Sequence, residues 1–161
     1  MSSRITFCFL FIIAIFPLAF RTKAQCKGYA KENCFPKLAP FTLDGQVSSA
    51  ILLAGNKIQT EMILYSDQNY RVLVCAQGVL GKVSFKMLDM DKNIIFNSKE
   101  NGDTDHWDFN LQSTQQVIIE VEAPSVNSPD GYVPRGCVAL IVGFKEKSKF
   151  LKMFTPRSQA K

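Results

Sequence analysis

The chain has 161 residues, 47% of them hydrophobic and 20% charged, with 9 Gly, 7 Pro and a formal net charge of +5. That length suits one domain and is short for two. The composition excludes a disordered chain, a collagen-like repeat and a polytopic membrane protein, and it points to no reaction.

Residues 1–24 read as a secretory signal peptide. Arg4 supplies the positive start and Ile5 to Phe20 is an unbroken apolar run. Thr22-Lys23-Ala24 then places small residues at the −3 and −1 positions before Gln25. The run is shorter than the ~20 residues that span a bilayer as a helix, and Pro17 interrupts it. Arg21 and Lys23 also suit a signal retained as an anchor; cleavage is the reading taken. The expected destination is therefore outside the cytoplasm, periplasmic or extracellular. Without the leader the chain keeps 16 basic and 14 acidic residues, a net of +2. Residues 25–144 hold 10 basic and 13 acidic side chains, whereas 145–161 hold six and one. The body shows no basic patch with interleaved aromatics, so nothing in it supports nucleic-acid binding.

Four cysteines follow the leader: Cys26, Cys34, Cys75 and Cys137. An even number in an exported chain reads as two disulfides. Three pairings satisfy the count. The favoured one joins Cys26 to Cys34 across a short loop and Cys75 to Cys137 between strands. Zinc is disfavoured, because no CxxC occurs and His106 is the single histidine, far along the chain from the cysteines. Residues 25–45 form an N-terminal segment in which only Gly28–Asn33 invites a short helix.

Beyond it the chain alternates. Ile58, Thr60, Met62 and Leu64 are interleaved with Gln59 and Glu61, and Tyr70, Val72 and Val74 with Arg71, Leu73 and Cys75. The same holds for Val83, Phe85 and Met87; for Trp107, Phe109 and Leu111; and for Val117, Ile119, Val121 and Ala123. A period of two over so many segments indicates strands with one buried and one wet face. The last run, Cys137 to Phe144, is apolar on both faces and reads as a central strand. Between the runs lie Asp44-Gly45, Gly55-Asn56, Ser66 to Asn69, Gly78 to Gly81, Asp91 to Asn93, Asn101 to Asp103 and Pro129 to Gly131, all turn chemistry. The fold class is all-β: an antiparallel β-sandwich of about eight strands over residues 46–144. A basic tail, 145–161, follows it.

The stretch Leu53 to Lys57, a strand, then Tyr65 to Val72 resembles the turn and strand entry of the β-sandwich modules at the ends of secreted prokaryotic peptidases (PPC-type). Val83 to Asp89, a turn, Ile94 to Phe96 and then Trp107 to Phe109 resemble GOLD, the lumenal jelly-roll sandwich of secretory-pathway cargo adaptors. Both groups are binding or accessory modules, so the resemblance implies interaction rather than chemistry. The adaptors' coiled coil and membrane span, and the peptidases' catalytic domain, have no counterpart in the 161 residues. Shape is carried over and role is not.

Several constellations compete as sites. Asp89, Asp91, Asn93 and Glu100 occupy positions 1, 3, 5 and 12 of a calcium-loop register, but Ile94 stands where the loop needs Gly. Asp103, Asp105 and Asp108 add a second acidic group, so Asp89, Asp91, Asp103 and Asp105 are candidate calcium ligands. Turns favour the same residues without any metal. Glu120 and Glu122 share one face of a strand at a spacing that suits an inverting glycosidase, and a solvated sheet face explains them equally. His106 has Asp105 beside it but no nucleophile elbow. Among the aromatics, Trp107 and Phe109 point inward, which leaves Tyr65 and Tyr132 for contact. Phe150, Leu151 and Phe154 recur at helical spacing in the basic tail, where they suit an acidic partner or an anionic membrane surface.

The reading is a non-catalytic exported β-sandwich without a required cofactor. It binds a protein or glycan at one sheet face or through the Asp89–Asp108 loops. A small hydrolase built on His106 or on Glu120 and Glu122 is the first alternative, and a calcium-stabilised structural module the second.

Overall fold

A computed structural model describes residues 22–126 and 129–146, with side chains from Cys26 onward. Most of residues 1–24, the expected signal peptide, therefore lies outside the described residues. So do Phe150, Leu151 and Phe154 of the tail.

Two helices open the described chain, α1 (Thr22–Asn33) and α2 (Phe35–Leu38). Eight strands follow: β1 (Thr42–Leu53), β2 (Lys57–Leu64), β3 (Gln68–Ala76), β4 (Ser84–Leu88), β5 (Ile94–Asn97), β6 (His106–Asn110), β7 (Gln115–Glu122) and β8 (Arg135–Glu146). They form two four-stranded antiparallel sheets, one in the order β1-β8-β3-β6 and the other β2-β7-β4-β5. The chain changes sheet at every connection except the β4–β5 hairpin, so most strand pairings join distant segments. The fold class read from the alternation, an all-β antiparallel sandwich, is the one observed.

Between the sheets lies the main core. Tyr70, Val72 and Val74 of β3 and Val138, Leu140 and Val142 of β8 meet Met62 and Leu64 of β2, Phe85 and Met87 of β4, and Val117, Ile119 and Val121 of β7. An aromatic chain closes one side. Phe85 touches Phe96, Phe96 stacks on Trp107 at 4.4 Å, Trp107 on Phe109 at 4.3 Å, and Phe109 on Tyr70 at 5.8 Å. These rings bind the edge strand of one sheet, β6, to the edge strand of the other, β5, with geometry worth more than their area alone.

β8 does read as central, and the reason for its two apolar faces is now visible. The outward side chains of β3 and β8, Leu73, Cys75, Ala139 and Ile141, form a second core with Ala30, Cys34 and Leu38 of the helical segment. Cys26, Ala30 and Cys34 recur every four residues, one stripe on one side of α1. The stripe is made of small residues, so α1 lies close against the sheet. Gly143 of β8 completes the fit, because a Cβ there would sit 2.7 Å from Leu38 Cδ1 and 3.0 Å from Phe41 Cβ. Arg71 ties the segment down from the sheet side. Its guanidinium donates to Asp108 through two bonds of 2.7 and 2.6 Å, donates to the carbonyls of Lys37 and Ala39, and lies over the Phe41 ring.

The cysteine pairing differs from the expected one. Cys26 is bonded to Cys137, with a Cα–Cα distance of 5.2 Å, and Cys34 and Cys75 are free thiols. Cys26 and Cys34 cannot pair because about eight residues of helical rise, ~12 Å, separate them. Cys75 lies opposite Ala139, which makes Cys137 its diagonal neighbour, at a typical separation of about 7–8 Å that a disulfide does not span. A second departure is β1. Asp44-Gly45, which reads as a turn, lies inside the strand at a register shift between Leu43 and Val47, with Gly45 at φ 73°. The pair makes a bulge rather than a reversal.

Gly143→Ala is expected to cost about 1–3 kcal/mol, the usual penalty for adding a methyl group to a filled interior. Urea denaturation of the variant checks this, and an unchanged midpoint would mean that the helical segment is not packed on β8.

Candidate interaction surface

The hydrolase candidates are each engaged locally. Glu120 and Glu122 do share the outer face of β7. Glu120 accepts a hydrogen bond of 2.7 Å from Gln59 Nε2 and an ion pair of 3.0 Å from Lys57, while Glu122 pairs with Lys99 at 3.5 Å. Burial alone would raise the Glu120 carboxyl, but Lys57 and Gln59 outweigh it and hold the group below the ordinary carboxylate range. A general acid needs the opposite shift. His106, at the start of β6, directs Nδ1 at Asp105 Oδ1, 2.9 Å away, and Asp105 is also paired with Lys37 at 3.2 Å. The hydroxyl of Thr104 bonds the His106 backbone, not its ring.

Calcium candidates fall into two separate places. On the β4–β5 hairpin, Asp89 accepts from the Asn93 backbone N–H and from Asn93 Nδ2, both at 2.8 Å, and Lys92 takes the left-handed conformation at φ 66°. Asp91 is exposed on the same turn, and Glu100 accepts from Asn97 Nδ2 at 2.7 Å. Asp103 pairs with Lys82 at 3.6 Å and Asp105 with Lys37 and His106. Among the described residues no three His, Cys, Asp or Glu side chains converge as a metal site.

Tyr65 and Tyr132 are both exposed but do not act together. Tyr65 follows β2 at the end where Leu64 pairs with Gln115, whereas Tyr132 precedes Arg135, which pairs with Leu53 at the other end of the sandwich. Trp107 and Phe109 pack against the main core, as the alternation requires.

Two grooves open on the surface near the helical segment. One of about 600 Å³ is lined by Phe41, Asn69, Tyr70, Asp108, Phe109, Asn110, Lys145 and Glu146. The other, of about 290 Å³, runs between Tyr29, Asn33 and Lys37 on one side and Lys82 and Asp103 to Asp105 on the other, with Cys75 in its lining. Neither includes His106, Glu120 or Glu122.

The outer face of the β2-β7-β4-β5 sheet breaks the alternation rule. Cross-strand register aligns Glu61, Ile118, Leu88 and Ile94 in one row, with Ile63 diagonal to Ile118. Ile118 and Leu88 face outward, belong to neither hydrophobic cluster and are nonetheless buried, whereas Ile63 and Ile94 are 47% and 55% exposed. An antiparallel sheet with one wet face normally carries polar residues at such positions. The next rows are polar and mutually satisfied, with Gln59, Lys57 and Glu120 in contact and Lys99 on Glu122. An aliphatic band bordered by ion pairs has the anatomy of an interface core with its rim. Sequence reading placed Ile94 in a calcium-loop register and Ile118 within a strand; the outward aliphatic positions 63, 88 and 118 were the available signal.

No family model matches the chain, and no curated protein does. Among solved structures the chain is similar to PliG of Aeromonas hydrophila, a periplasmic lysozyme inhibitor of g-type lysozyme, at 12% identity and a TM-score of 0.46. The overlap covers 62% of this chain and 85% of that one.

Glu120 has a folded-state pKa below its unfolded value, so its stabilisation is present above the unfolded value and fades as pH falls through the folded one. Glu120→Gln is therefore expected to lower Tm at pH 7 and to change it little near about pH 3. Thermal melts of both proteins at the two pH values check this, and equal losses would contradict the pairing with Lys57.

Proposed function

We propose that the protein is an exported, non-catalytic module that binds a protein partner through the outer face of the β2-β7-β4-β5 sheet. One observation carries the reading: Ile63 and Ile94, half exposed, extend the outward-facing aliphatic row of Ile118 and Leu88 on this sheet face. On the other sheet the outer apolar side chains of β3 and β8 lie under α1 and α2, while Val47, Ile51 and Leu53 of its edge strand β1 stay exposed. Ile63 and Ile94 are about half exposed, so a partner that covers them recovers only part of the roughly 1.5–3 kcal/mol that full burial of each side chain is worth.

Protein is favoured over glycan because the band is aliphatic. Sugar rings are held by exposed aromatic platforms, and Tyr65 and Tyr132 lie at opposite ends of the sandwich. A hydrolytic role would need His106 or the Glu120 and Glu122 pair facing a cleft; the glutamates are instead held in local ion pairs and His106 contacts Asp105. Export is supported by the leader pattern and by the Cys26–Cys137 disulfide, a bond that persists in oxidising compartments. The likeness in strand pattern to GOLD and peptidase-associated modules accords with a binding role.

A photo-crosslinking residue at position 63 or 94 of the full chain, secreted by its native host, tests the proposal. Adducts to one protein from both positions, and their loss when Ile63→Asp or Ile94→Asp is placed at the other position, are expected. Both substitutions are on the surface, so Tm should stay within a few degrees. Adducts formed only from position 132, or binding lost only when residues 147–161 are removed, would overturn it.

A further inference from the structure

Cys34 and Cys75 are brought together from opposite sides of an interface. Cys34 ends the small-residue stripe of α1, and Cys75 faces outward from β3. Both are buried in the same small hydrophobic core beneath the helical segment, as free thiols. That segment is already held to β8 by Cys26–Cys137, in the same layer of the fold.

From this juxtaposition we infer that Cys34 and Cys75 are the site of a second disulfide, which fastens the α1–α2 junction to β3. The two bonds then staple the helical segment at both ends of the Cys26–Cys34 stripe, one to each of the two strands it covers. No third ligand completes a metal site there among the described residues.

Access makes the two sulfurs unequal. Cys34 is fully buried, whereas Cys75 lines the 290 Å³ groove beside Lys37. Hydrogen bonding from Cys34, with Lys37 nearby, lowers the Cys75 thiol, while the same bond and burial raise Cys34. Cys75, in the groove lining that Lys37 shares, is therefore the sulfur an oxidant meets first. Oxidation by a disulfide-bearing oxidant then has a defined order. The Cys75 thiolate attacks one sulfur of the oxidant, forming a mixed disulfide and expelling one thiolate. Cys34 gives up its proton and attacks Cys75 Sγ, the mixed disulfide breaks, and the second thiolate leaves. Two protein thiols lose two electrons and the oxidant is reduced to two thiols.

The test uses the full chain purified without reductant and incubated with oxidised glutathione. The protein is then alkylated in denaturant and its peptides are mapped. Expected are a peptide joining Cys34 to Cys75, another joining Cys26 to Cys137, and loss of every alkylatable thiol at these positions. Cys34 and Cys75 remaining alkylatable, or paired with other cysteines, would overturn the proposal. The order has its own readout. Cys34→Ser should halt Cys75 as a glutathione adduct, and Cys75→Ser should leave Cys34 unmodified in the native protein. A glutathione adduct on Cys34 in the second variant would refute the order; peptide mapping of the unsubstituted chain decides the disulfide whatever the variants do.

Discussion

Strands β8 and β3 carry apolar side chains on both faces, and such strands are stable only when both faces are kept from water. One face is satisfied by the opposing sheet, through Val138, Leu140, Val142, Val72 and Val74. The other needs a cover, and the chain supplies one from its own N-terminal part, α1 and α2. Much else in the molecule serves that contact: the small stripe on α1, the missing side chain at Gly143, the Arg71 clamp and the Cys26–Cys137 bond. The disulfide closes a sequence separation of 111 residues. On the loop-entropy estimate a closure of that length is worth about 4–5 kcal/mol, comparable with the whole stability of a marginal domain.

Covering one sheet and not the other makes the two outer faces chemically different. Where the helices lie, outward apolar residues are core. On the other sheet Ile63 and Ile94 stand exposed beside the buried, outward-facing Ile118 and Leu88, and packing within the chain leaves that exposed pair unexplained. The acidic groups that attract attention in the sequence have local employment. Asp89 shapes the β4–β5 turn with Asn93, Glu100 holds Asn97, and Asp105 sits between Lys37 and His106.

Strands were legible because alternation is a local signal, and β2, β3, β4, β6 and β7 follow it. β1 was not, since Val47, Ser48, Ser49 and Ala50 are small or polar on an edge strand, and the Asp44-Gly45 bulge imitates a turn. The double-sided character of β8 could be read from Cys137 to Phe144, but what covers it could not. α1 contributes Ala30 and two cysteines rather than large apolar residues, so its buried side has almost no hydropathy signature. Disulfide pairing failed for the same reason: Cys26 and Cys34 look like a closed loop in sequence, whereas in space Cys26 lies in α1 and Cys34 directly follows its last turn. The aliphatic band could be seen only once cross-strand register had aligned residues more than 50 positions apart.

Hydrogen exchange on the native protein tests the covering of β8 most directly. If both faces of β8 are sealed, the amides of Val138–Val142 exchange at the slowest rates in the molecule, and α1 residues Ala30–Asn33 are protected well beyond what a free helix shows. Fast exchange throughout α1, with Cys26–Cys137 intact, would show a tethered but undocked helix and contradict the account.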